Sequence, residues 1–477
     1  MTSPRPNIVL VITDQQRFDT IAALGFPHMI TPNLDRMVRE GVAFRQMFVT
    51  APSCAPSRAS LFTGLYPHTN GVLRNDDRWT WSWVECLADA GYRCVNIGKM
   101  HTFPYEQSFG FHERHVTENK DRAHPSLPYF LDNWDKALWA RGLEKPSRVT
   151  YRRRADYRDR LGAFVWELPE DMHSDNFVGD LACHWLDSYT GEEPFFLEIG
   201  IPGPHPPYDP TPDALALYAD RDVPLPILDE AEQASQPQPL KDLRREHWEQ
   251  DHDAVVHLPD PTDEQVLRQR RHYFANVTMI DAQIGHLIAT LDRRGVLDDT
   301  IVIFTSDHGD CLNDHGHSQK WNMYEQTVHV PAVIWGPGLT AGGRQVDDLA
   351  ELMDWGPTIL ELAGITPPSW MQARSLLPLI TGEGEGSRRY VFSEHARDAI
   401  LKSTECMTMI RDHRWKLVHF VDSDEGQLFD LEADPREVRN LWDEPSHQGQ
   451  KNLMIDEILR WRTRTALDSQ NWRPQTS

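Results

Sequence analysis

The stretch Cys54-Ala55-Pro56-Ser57-Arg58, followed by Phe62-Thr63-Gly64, decides how this 477-residue chain is interpreted. The pattern Cys-x-Pro-x-Arg is the tag at which a cysteine is oxidised to formylglycine, and the hydrated aldehyde is a geminal diol. One hydroxyl of the diol can attack sulfur or phosphorus, and the other can then expel the bound group as the aldehyde re-forms. The alternative is an unmodified, buried cysteine before a helix, which is how most isolated cysteines behave. The Pro, Ser, Arg and Thr-Gly positions around Cys54 favour the modified nucleophile.

Four short apolar runs elsewhere in the chain each end in a polar cluster. Runs of this kind are typical of strands that are buried on both faces of a sheet. They begin at Ile8, Cys94, Phe195 and Thr300, and the clusters are Asp14-Gln15-Gln16, Gly98-Lys99-Met100-His101, Pro204-His205-Pro206-Pro207 and Ser306-Asp307-His308-Gly309. Loops at the carboxyl ends of parallel strands converge on one crevice, so we expect these clusters to meet there.

Together these features resemble the type I, formylglycine-dependent sulfatases of the alkaline phosphatase superfamily. Leu65-Tyr66-Pro67-His68 continues the signature, and the stretch from Gly309 to Lys320 is similar to the family's G-D-x-L-x-x-H-G-x-x-x-K. The resemblance covers nearly the whole chain. It implies an α/β, alkaline-phosphatase-like fold with a large, mostly parallel sheet flanked by helices and a smaller C-terminal antiparallel α+β subdomain.

The domain boundaries follow from that resemblance and from the composition of the chain. We assign residues 1–380 to the catalytic domain, with insertions at about 103–180 and 209–260 that lack clear periodicity and shape the mouth of the pocket. Residues 381–387 read as a linker or exposed turn, and residues 388–477 as the C-terminal subdomain.

Several elements are predicted directly from local patterns. A helix should begin after Thr31 as its cap, with Pro32 in the first turn, and end at Gly41. Periodicity predicts a long amphipathic helix from Asp263 to Arg294 and a shorter one from Asp354 to Leu362. Short C-terminal strands are expected at 390–392, 407–410, 415–418 and 428–431.

Asp14, Gln15, Asp307 and His308 follow predicted strands and are the candidate metal ligands. Three of the four offer oxygen, which suits Ca²⁺ or Mn²⁺ better than a structural zinc, and a hydroxyl derived from Cys54 would complete the shell of one divalent ion. The family commonly has Asp-Asp and Asp-Asn at these two places. Gln15 and His308 instead resemble the phosphonate monoester hydrolase branch, although an Asp-His pair also occurs in some true sulfatases. The histidine nitrogen favours Mn²⁺ or a similarly borderline cation. The alternatives are a strand-end cap for Asp14 and a turn for Asp307-His308.

The remaining site residues are assigned by what the chemistry needs. Sulfate or phosphonate oxygens require positive donors, and Arg58, Lys99 and Lys320 are the candidates, although a lysine is usually a solvated surface group.

Three residues are candidates for proton transfer, two of them through the resemblance. His205 resembles the donor to the leaving alcohol and His101 the base that deprotonates the second hydroxyl, while Asp307 could accept the proton of the attacking hydroxyl. For His68 and His315 a role in orienting loops is favoured. Asn75, Thr102 and His317 are weaker candidates for substrate contacts, set against packing roles.

Composition limits the partners. The chain has 72 acidic and 48 basic residues and a net charge of −24, which argues against non-specific nucleic-acid binding, so an anionic substrate must be held by local cations. The six cysteines lack paired spacing, and the sequence shows neither a signal peptide nor an apolar run of membrane-spanning length. We therefore expect a cytoplasmic protein that contacts no membrane. The sequence identifies no subunit interface, so whether the protein forms a homo-oligomer is left open.

These observations predict a sulfuric ester hydrolase that acts on small anionic esters through a covalent sulfo-enzyme hemiacetal, with broad substrate tolerance. A transient formylglycine-generating enzyme is the implied maturation partner. The same machinery could instead hydrolyse phosphonate monoesters or phosphodiesters. A third alternative, from a different class, is a non-catalytic anion-binding protein in which Cys54 stays a thiol.

Overall fold

The computed structural model describes residues 5–468 except Thr80, Glu106, 119–130, Pro337, Thr340, Ala341, Glu385 and Ser387. Fourteen strands are present in this part of the chain. They are β1 (Asn7–Asp14), β2 (Val42–Phe44), β3 (Met47–Phe48), β4 (Arg93–Gly98), β5 (Glu113–Val116), β6 (Phe195–Pro204), β7 (Thr300–Ser306), β8 (Ala332–Trp335), β9 (Arg344–Val346), β10 (Ala350–Glu351), β11 (Val391–Ala396), β12 (Cys406–Arg411), β13 (Trp415–Phe420) and β14 (Gly426–Asp430).

The large sheet has the order β5-β4-β6-β1-β7-β8-β2-β9. The first five strands of this order pair in parallel, whereas β8 is antiparallel to both of its neighbours, so the sheet is mixed. Along β1, Ile8, Leu10 and Ile12 pack into one hydrophobic core, and Val9 and Val11 pack into another on the opposite face. This alternation explains why the predicted strands read as continuous apolar runs.

Helices cover both faces of the sheet and fill the insertions. They are α1 (Pro32–Glu40), α2 (Cys54–Thr63), α3 (Pro67–Asn70), α4 (Val84–Asp89), α5 (Asn133–Ala140), α6 (Arg148–Arg152), α7 (Tyr157–Arg160), α8 (Ser174–Ser188), α9 (Pro212–Ala216), α10 (Glu230–Ser235), α11 (Gln238–Glu249), α12 (Asp263–Arg293), α13 (Glu325–Val328), α14 (Trp355–Leu362), α15 (Leu377–Thr381) and α16 (Gln448–Asp468). None of the described helices is both long and apolar enough to cross a membrane.

The long helix α12 is confirmed and begins with a capping box, in which Thr262 and Gln265 satisfy each other's backbone N–H groups. Helix α1 also has the predicted bounds, with Thr31 at its N-cap position, but the Thr31 side chain makes no capping hydrogen bond. The Thr31 hydroxyl instead accepts from the backbone N–H of Ala22 at 2.9 Å. Asp281 of α12 accepts from the first backbone N–H groups of α1, at 3.2 Å from Asn33 and 2.7 Å from Leu34, and so takes over the cap.

The C-terminal sheet is antiparallel in the order β11-β12-β13-β14, as the sequence predicted, and α16 packs against it. It is joined to the rest of the chain where the N–H of Glu394 donates to the carbonyl of Thr50 at 2.9 Å. Of the predicted linker at 381–387, Glu385 and Ser387 lie outside the described residues, as do positions 469–477 of the predicted subdomain. The boundaries of the two domains stay a prediction.

Candidate active site

The predicted polar clusters meet at the carboxyl ends of the central parallel strands. Because β1 lies between β6 and β7, the ends of these strands are adjacent. Candidate ligand atoms of Asp14, Cys54, Asp307 and His308 all lie within 4.8 Å of one another, and the four residues are buried. The sequence prediction that distant segments converge here is borne out for these four side chains.

Cys54 is the first residue of α2, a helix in which every residue is buried. Two contacts fix this helix against the loop after β7. The Ser57 hydroxyl donates to the carbonyl of Asp307 at 2.6 Å, and Arg58 Nε donates to Asp307 Oδ2 at 2.7 Å. Arg58 also donates to the carbonyl of Lys99 at 2.6 Å, while its Nη2 has no hydrogen-bond partner among the described residues. The Cys-x-Pro-x-Arg spacing therefore aims the cysteine at the centre and uses the arginine to tie two strand ends together.

Two buried lysines contact the centre. Lys99 forms an ion pair with Asp14. Lys320 Nζ lies 3.0 Å from Cys54 Sγ and 2.9 Å from Gln15 Oε1. Burial alone would raise the pKa of Asp14, but Lys99, His205 and Lys320 hold it well below its usual range. Burial, reinforced by the nearby Asp14 carboxylate, raises the pKa of the Cys54 thiol to about 11.

The centre has the donor atoms for a divalent cation. Asp14 and Asp307 supply carboxylates, and His308 Nδ1 is engaged with the carbonyl of Gly309 at 2.9 Å, which leaves Nε2 as the lone-pair nitrogen facing the cluster. That Nε2 lies 3.1 Å from Cys54 Sγ and 3.6 Å from Asp14 Oδ1. Two buried carboxylates with an imidazole nitrogen fit a hard or borderline cation such as Ca²⁺ or Mn²⁺.

Gln15 sits beside this cluster with φ 73°, a left-handed conformation. Its backbone N–H donates to Asp307 Oδ1 at 3.1 Å, and its side-chain amide donates to Asp310 Oδ2 at 2.7 Å. Tyr208 donates to the same Asp310 oxygen, also at 2.7 Å. Because Asp310 accepts the hydrogen bond from the side-chain amide nitrogen of Gln15, the side-chain carbonyl oxygen of Gln15 faces Lys320. Its role as a metal ligand stays a prediction.

His205 directly follows β6 and is flanked by two cis proline bonds, Gly203-Pro204 at the end of the strand and Pro206-Pro207 in the loop. Its Nδ1 is engaged with the carbonyl of Pro206 at 2.8 Å, and its Nε2 lies 3.7 Å from Asp253 Oδ2. Burial lowers the pKa of His205 to about 3, with Asp14 opposing the shift and Lys320 adding to it. The ring is therefore neutral in the free protein at pH 7. His101, at φ 55°, is buried and receives support through its backbone N–H, which donates to Glu118 at 3.1 Å.

Five further residues from the sequence analysis, three assigned to substrate contact and two to loop orientation, contact other parts of the protein. Asn75 Oδ1 accepts from the N–H of Ala55 at 3.3 Å and so caps α2. Thr102 accepts from Arg114 at 3.2 Å, and His317 lies 3.2 Å from Gln236.

The two histidines assigned to loop orientation do contact other segments: His68 bonds Glu394 and Thr465, each at 2.7 Å, and His315 stacks on Tyr324 with ring centroids 3.8 Å apart. Substrate contact by Asn75, Thr102 and His317 stays a prediction.

Three residues near the centre were missed. Asp253 lies in an insertion without periodicity, so the sequence held no signal for it. Asp310 was part of the quoted Gly309–Lys320 stretch but received no role. Glu198 is a single carboxylate in the middle of an apolar strand, which is a usable signal. It is fully buried, and burial raises its pKa to about 8, although Arg58 opposes the shift.

The chain is similar to known sulfatases in sequence and to a phosphonate monoester hydrolase in fold. Residues 6–365 match the family model Sulfatase, and residues 313–464 match the model for the C-terminal part of N-sulphoglucosamine sulphohydrolase. An arylsulfatase of Clostridium perfringens is 32% identical, with 92% of this chain and 90% of that protein covered. A choline-sulfatase of Rhizobium meliloti is also 32% identical, with coverage of 93% and 84%. The crystal structure of a phosphonate monoester hydrolase of Agrobacterium radiobacter superposes with a TM-score of 0.80 at 26% identity, covering 97% of this chain and 96% of that one.

Proposed function

This chain belongs to the sulfatase family, and from that premise we propose that it hydrolyses sulfate esters with a formylglycine made from Cys54 as its nucleophile. The observation that carries the proposal is the position of Cys54. Cys54 is the first residue of a buried helix, and its Sγ lies 3.0 Å from Lys320 Nζ and 3.1 Å from His308 Nε2. A diol at this position would place its hydroxyls among the same carboxylates, imidazole and lysines.

An unmodified thiol is a poor candidate for the same role. Burial and the Asp14 carboxylate raise the pKa of the thiol to about 11, which disfavours the thiolate at neutral pH unless a bound cation stabilises it. The thiolate is the nucleophilic form of cysteine. A separate maturation enzyme with an external two-electron oxidant would convert the Cys54 side chain to the aldehyde, the sulfur leaving as sulfide, and hydration of the aldehyde would supply hydroxyl nucleophiles instead.

The residues around position 54 suit each later step. Asp307 would accept the proton of the attacking hydroxyl as the oxygen–sulfur bond forms and the ester oxygen departs. Arg58, Lys99 and Lys320 would stabilise the negative charge on the sulfate oxygens, and these three cations face the two carboxylates of Asp14 and Asp307. A divalent cation held by Asp14, Asp307 and His308 would add a Lewis acid to this set.

Release of the products needs two more proton transfers. His205 would protonate the departing alcohol. It is neutral in the free protein, and a bound sulfate monoester brings a negative charge that favours the imidazolium form. His101 would then take the proton of the second hydroxyl, so that the aldehyde re-forms and the bond to the sulfate oxygen breaks. No water molecule has to attack sulfur, which is why related anionic esters could also react.

A second candidate is hydrolysis of phosphonate monoesters or phosphodiesters. It is favoured by the likeness to the phosphonate monoester hydrolase of Agrobacterium radiobacter, and by Gln15 and His308 at the metal site. The sulfate assignment is supported by the arylsulfatase and choline-sulfatase relatives at 32% identity. We therefore rank sulfate esters first.

The test compares rates on 4-nitrophenyl sulfate and 4-nitrophenyl phenylphosphonate. Metal-stripped protein, co-produced with a formylglycine-generating enzyme, is assayed after addition of Ca²⁺ or Mn²⁺. We expect metal-dependent turnover with the larger kcat/KM on the sulfate, and loss of turnover in C54A but not in C86A, which removes a half-buried cysteine outside the site. A phosphonate preference of tenfold or more, equivalent to about 1.4 kcal/mol, would reverse the assignment.

A further inference from the structure

The two insertions of the catalytic domain meet beside His205. The first contributes α6, and the second contributes a segment at positions 251–254 that we call the 251–254 turn. Both insertions place side chains in one small hydrophobic cluster, whose buried members are Tyr151, Tyr157, Leu161, Phe164, Ala254 and Val256. Because this apolar surface is removed from water only when the insertions pack together, the cluster holds them against each other.

Polar contacts fix the 251–254 turn from two sides. Arg152 of α6 donates to the backbone carbonyl of Asp251 at 2.7 Å. The side-chain amide of Gln319 donates to the backbone carbonyl of His252 at 3.0 Å, which ties the turn to the segment directly before Lys320. The turn therefore has a defined position relative to the lysine that contacts Cys54.

The backbone of this turn adopts an unusual conformation. Asp253 has φ 54° and Ala254 has φ 59°, both in the left-handed region, and both residues are buried. Residues other than glycine seldom occupy this region, and a strained backbone is retained where the surrounding structure fixes it, often at functional sites. Here the strained turn presents the side chain of Asp253 to His205.

The Asp253 carboxylate is shared between an arginine and His205. One oxygen, Oδ1, accepts from Arg148, the first residue of α6. The other, Oδ2, lies 3.7 Å from His205 Nε2. Because His205 Nδ1 donates to the carbonyl of Pro206, Nε2 is the ring nitrogen that gains and loses a proton. A distance of 3.7 Å is too long for a hydrogen bond but within ion-pair range, and contacts of this kind often tighten in the substrate complex.

Four charged side chains act on the His205 ring, each from a different segment. They are Asp14 at the end of β1, Lys99 after β4, Lys320 after β7 and Asp253 of the second insertion. Burial lowers the pKa of His205 to about 3; the two carboxylates oppose this shift, and the two lysines add to it. Since Lys99 forms an ion pair with Asp14, the charge of Asp14 is offset locally. Asp253 is then the carboxylate that balances Lys320 when the ring becomes positive.

We propose that Asp253 is a positioning residue that holds His205 in its charged, proton-donating form while the alcohol departs. This inference rests on the proposed function, in which His205 is the donor. When substrate binds, Nε2 takes up a proton from solvent. As the sulfur–oxygen bond breaks, its electron pair stays on the ester oxygen, which receives the Nε2 proton. The ring returns to its neutral form, and Asp253 stays a carboxylate throughout.

The variant D253N tests this role. Asparagine tolerates the left-handed region and keeps the shape of the side chain, so D253N removes the charge and preserves the turn. A carboxylate near an ionisable ring shifts its pKa by about 1–3 units, so kcat on an alkyl sulfate should fall about tenfold or more. On 4-nitrophenyl sulfate, whose phenolate leaves without protonation, kcat should change less than about twofold. The control D260N removes an exposed carboxylate of the same insertion and should keep both rates.

The variant H205A separates this inference from the proposed function. If H205A loses equal kcat on the two esters, His205 is not the donor and the proposed proton transfer itself fails. If H205A loses selectively on the alkyl sulfate while D253N keeps that rate, the role of Asp253 alone is overturned. Equal losses on the two esters in D253N would overturn it as well.

A second measurement needs no turnover. NMR of protein with isotope-labelled histidine, saturated with Ca²⁺ and inorganic sulfate, follows the His205 ring between about pH 5 and 9, and H205A identifies its signal. The carboxylate favours the charged ring, so the titration midpoint should be lower in D253N than in the wild-type protein by about one pH unit or more. D260N should match the wild-type protein. Equal midpoints in D253N and the wild-type protein, or a wild-type ring that stays neutral throughout, would overturn the inference.

Discussion

His205 carries the clearest residue-scale prediction, because a proton donor matters most when the departing alcohol is a poor leaving group. We expect H205A to lose about 10²- to 10⁴-fold in kcat on an alkyl sulfate and much less on 4-nitrophenyl sulfate, whose phenolate leaves without protonation. Steady-state rates on both esters measure the difference. H68A, which alters a histidine bonded to Glu394 and Thr465, should affect both esters alike. Equal losses of kcat on the two esters in H205A would show that His205 is not the proton donor.

The position of Gln15 was predictable from the sequence, whereas the orientation of its side-chain amide was not. Its position after β1 placed it correctly beside Asp14. The direction of its amide could not be predicted, because it is set by Asp310, which is 295 residues away in sequence. Asp253 illustrates the same limit, since its contact with His205 depends on the path of an insertion that has no periodic pattern. Contacts made by such loops are tertiary and leave no local signal.

At the scale of elements, the site depends on the close approach of strand ends. Gly98 ends β4 with φ 99°, and a Cβ there would lie 2.1 Å from the carbonyl oxygen of Gly200 on β6. We expect G98A to lower the free energy of unfolding, measured in urea, by more than G25A does. Gly25 has φ 104° with open space around it, so G25A isolates the backbone cost of about 1–2 kcal/mol.

The same substitution should also reduce activity, because Lys99 directly follows Gly98 and the added methyl group displaces the loop that carries it. G25A should keep its rate. If G98A and G25A lost equal stability and both kept full activity, the tight packing of β4 against β6 would not be what positions Lys99.

The parallel strands and the C-terminal sheet were predictable because their apolar runs are local and distinctive. The order of strands in the sheet, with β1 between β6 and β7, was not predicted, because strand pairing is a tertiary contact that the separate apolar runs do not encode. Thr31 is the N-cap residue of α1 as predicted, but the capping acceptor could not be predicted: Asp281 of α12 accepts from the first N–H groups of α1, and an acceptor supplied by a distant helix leaves no signal beside Thr31. Local capping rules assume that the nearest side chain supplies the acceptor.

For the whole molecule, the buried Glu198 predicts a dependence of stability on pH. Burial raises its pKa from 4.5 to about 8, so the folded state holds a proton that the unfolded state releases. Its contribution to stability is therefore full below about pH 4.5 and is lost as pH rises through 8, with a slope of up to about 1.4 kcal/mol per pH unit.

Urea unfolding between pH 5 and 8 tests this contribution. E198Q stays neutral at every pH, so the wild-type protein should lose stability relative to E198Q as pH rises. The control E264Q, at an exposed position of α12, should follow the wild-type profile. Parallel profiles for E198Q and the wild-type protein would show that Glu198 does not hold a proton in the folded state.

The proposed mechanism depends on the chemical identity of residue 54, which peptide mass analysis determines. Protein purified from its native source is digested, and the mass of the peptide that contains position 54 is determined with and without a carbonyl-reactive hydrazine. We expect the aldehyde mass in the untreated peptide and a hydrazone in the treated one. A peptide that carries an intact thiol and does not react with the hydrazine, in protein that still turns over 4-nitrophenyl sulfate, would contradict the proposed mechanism.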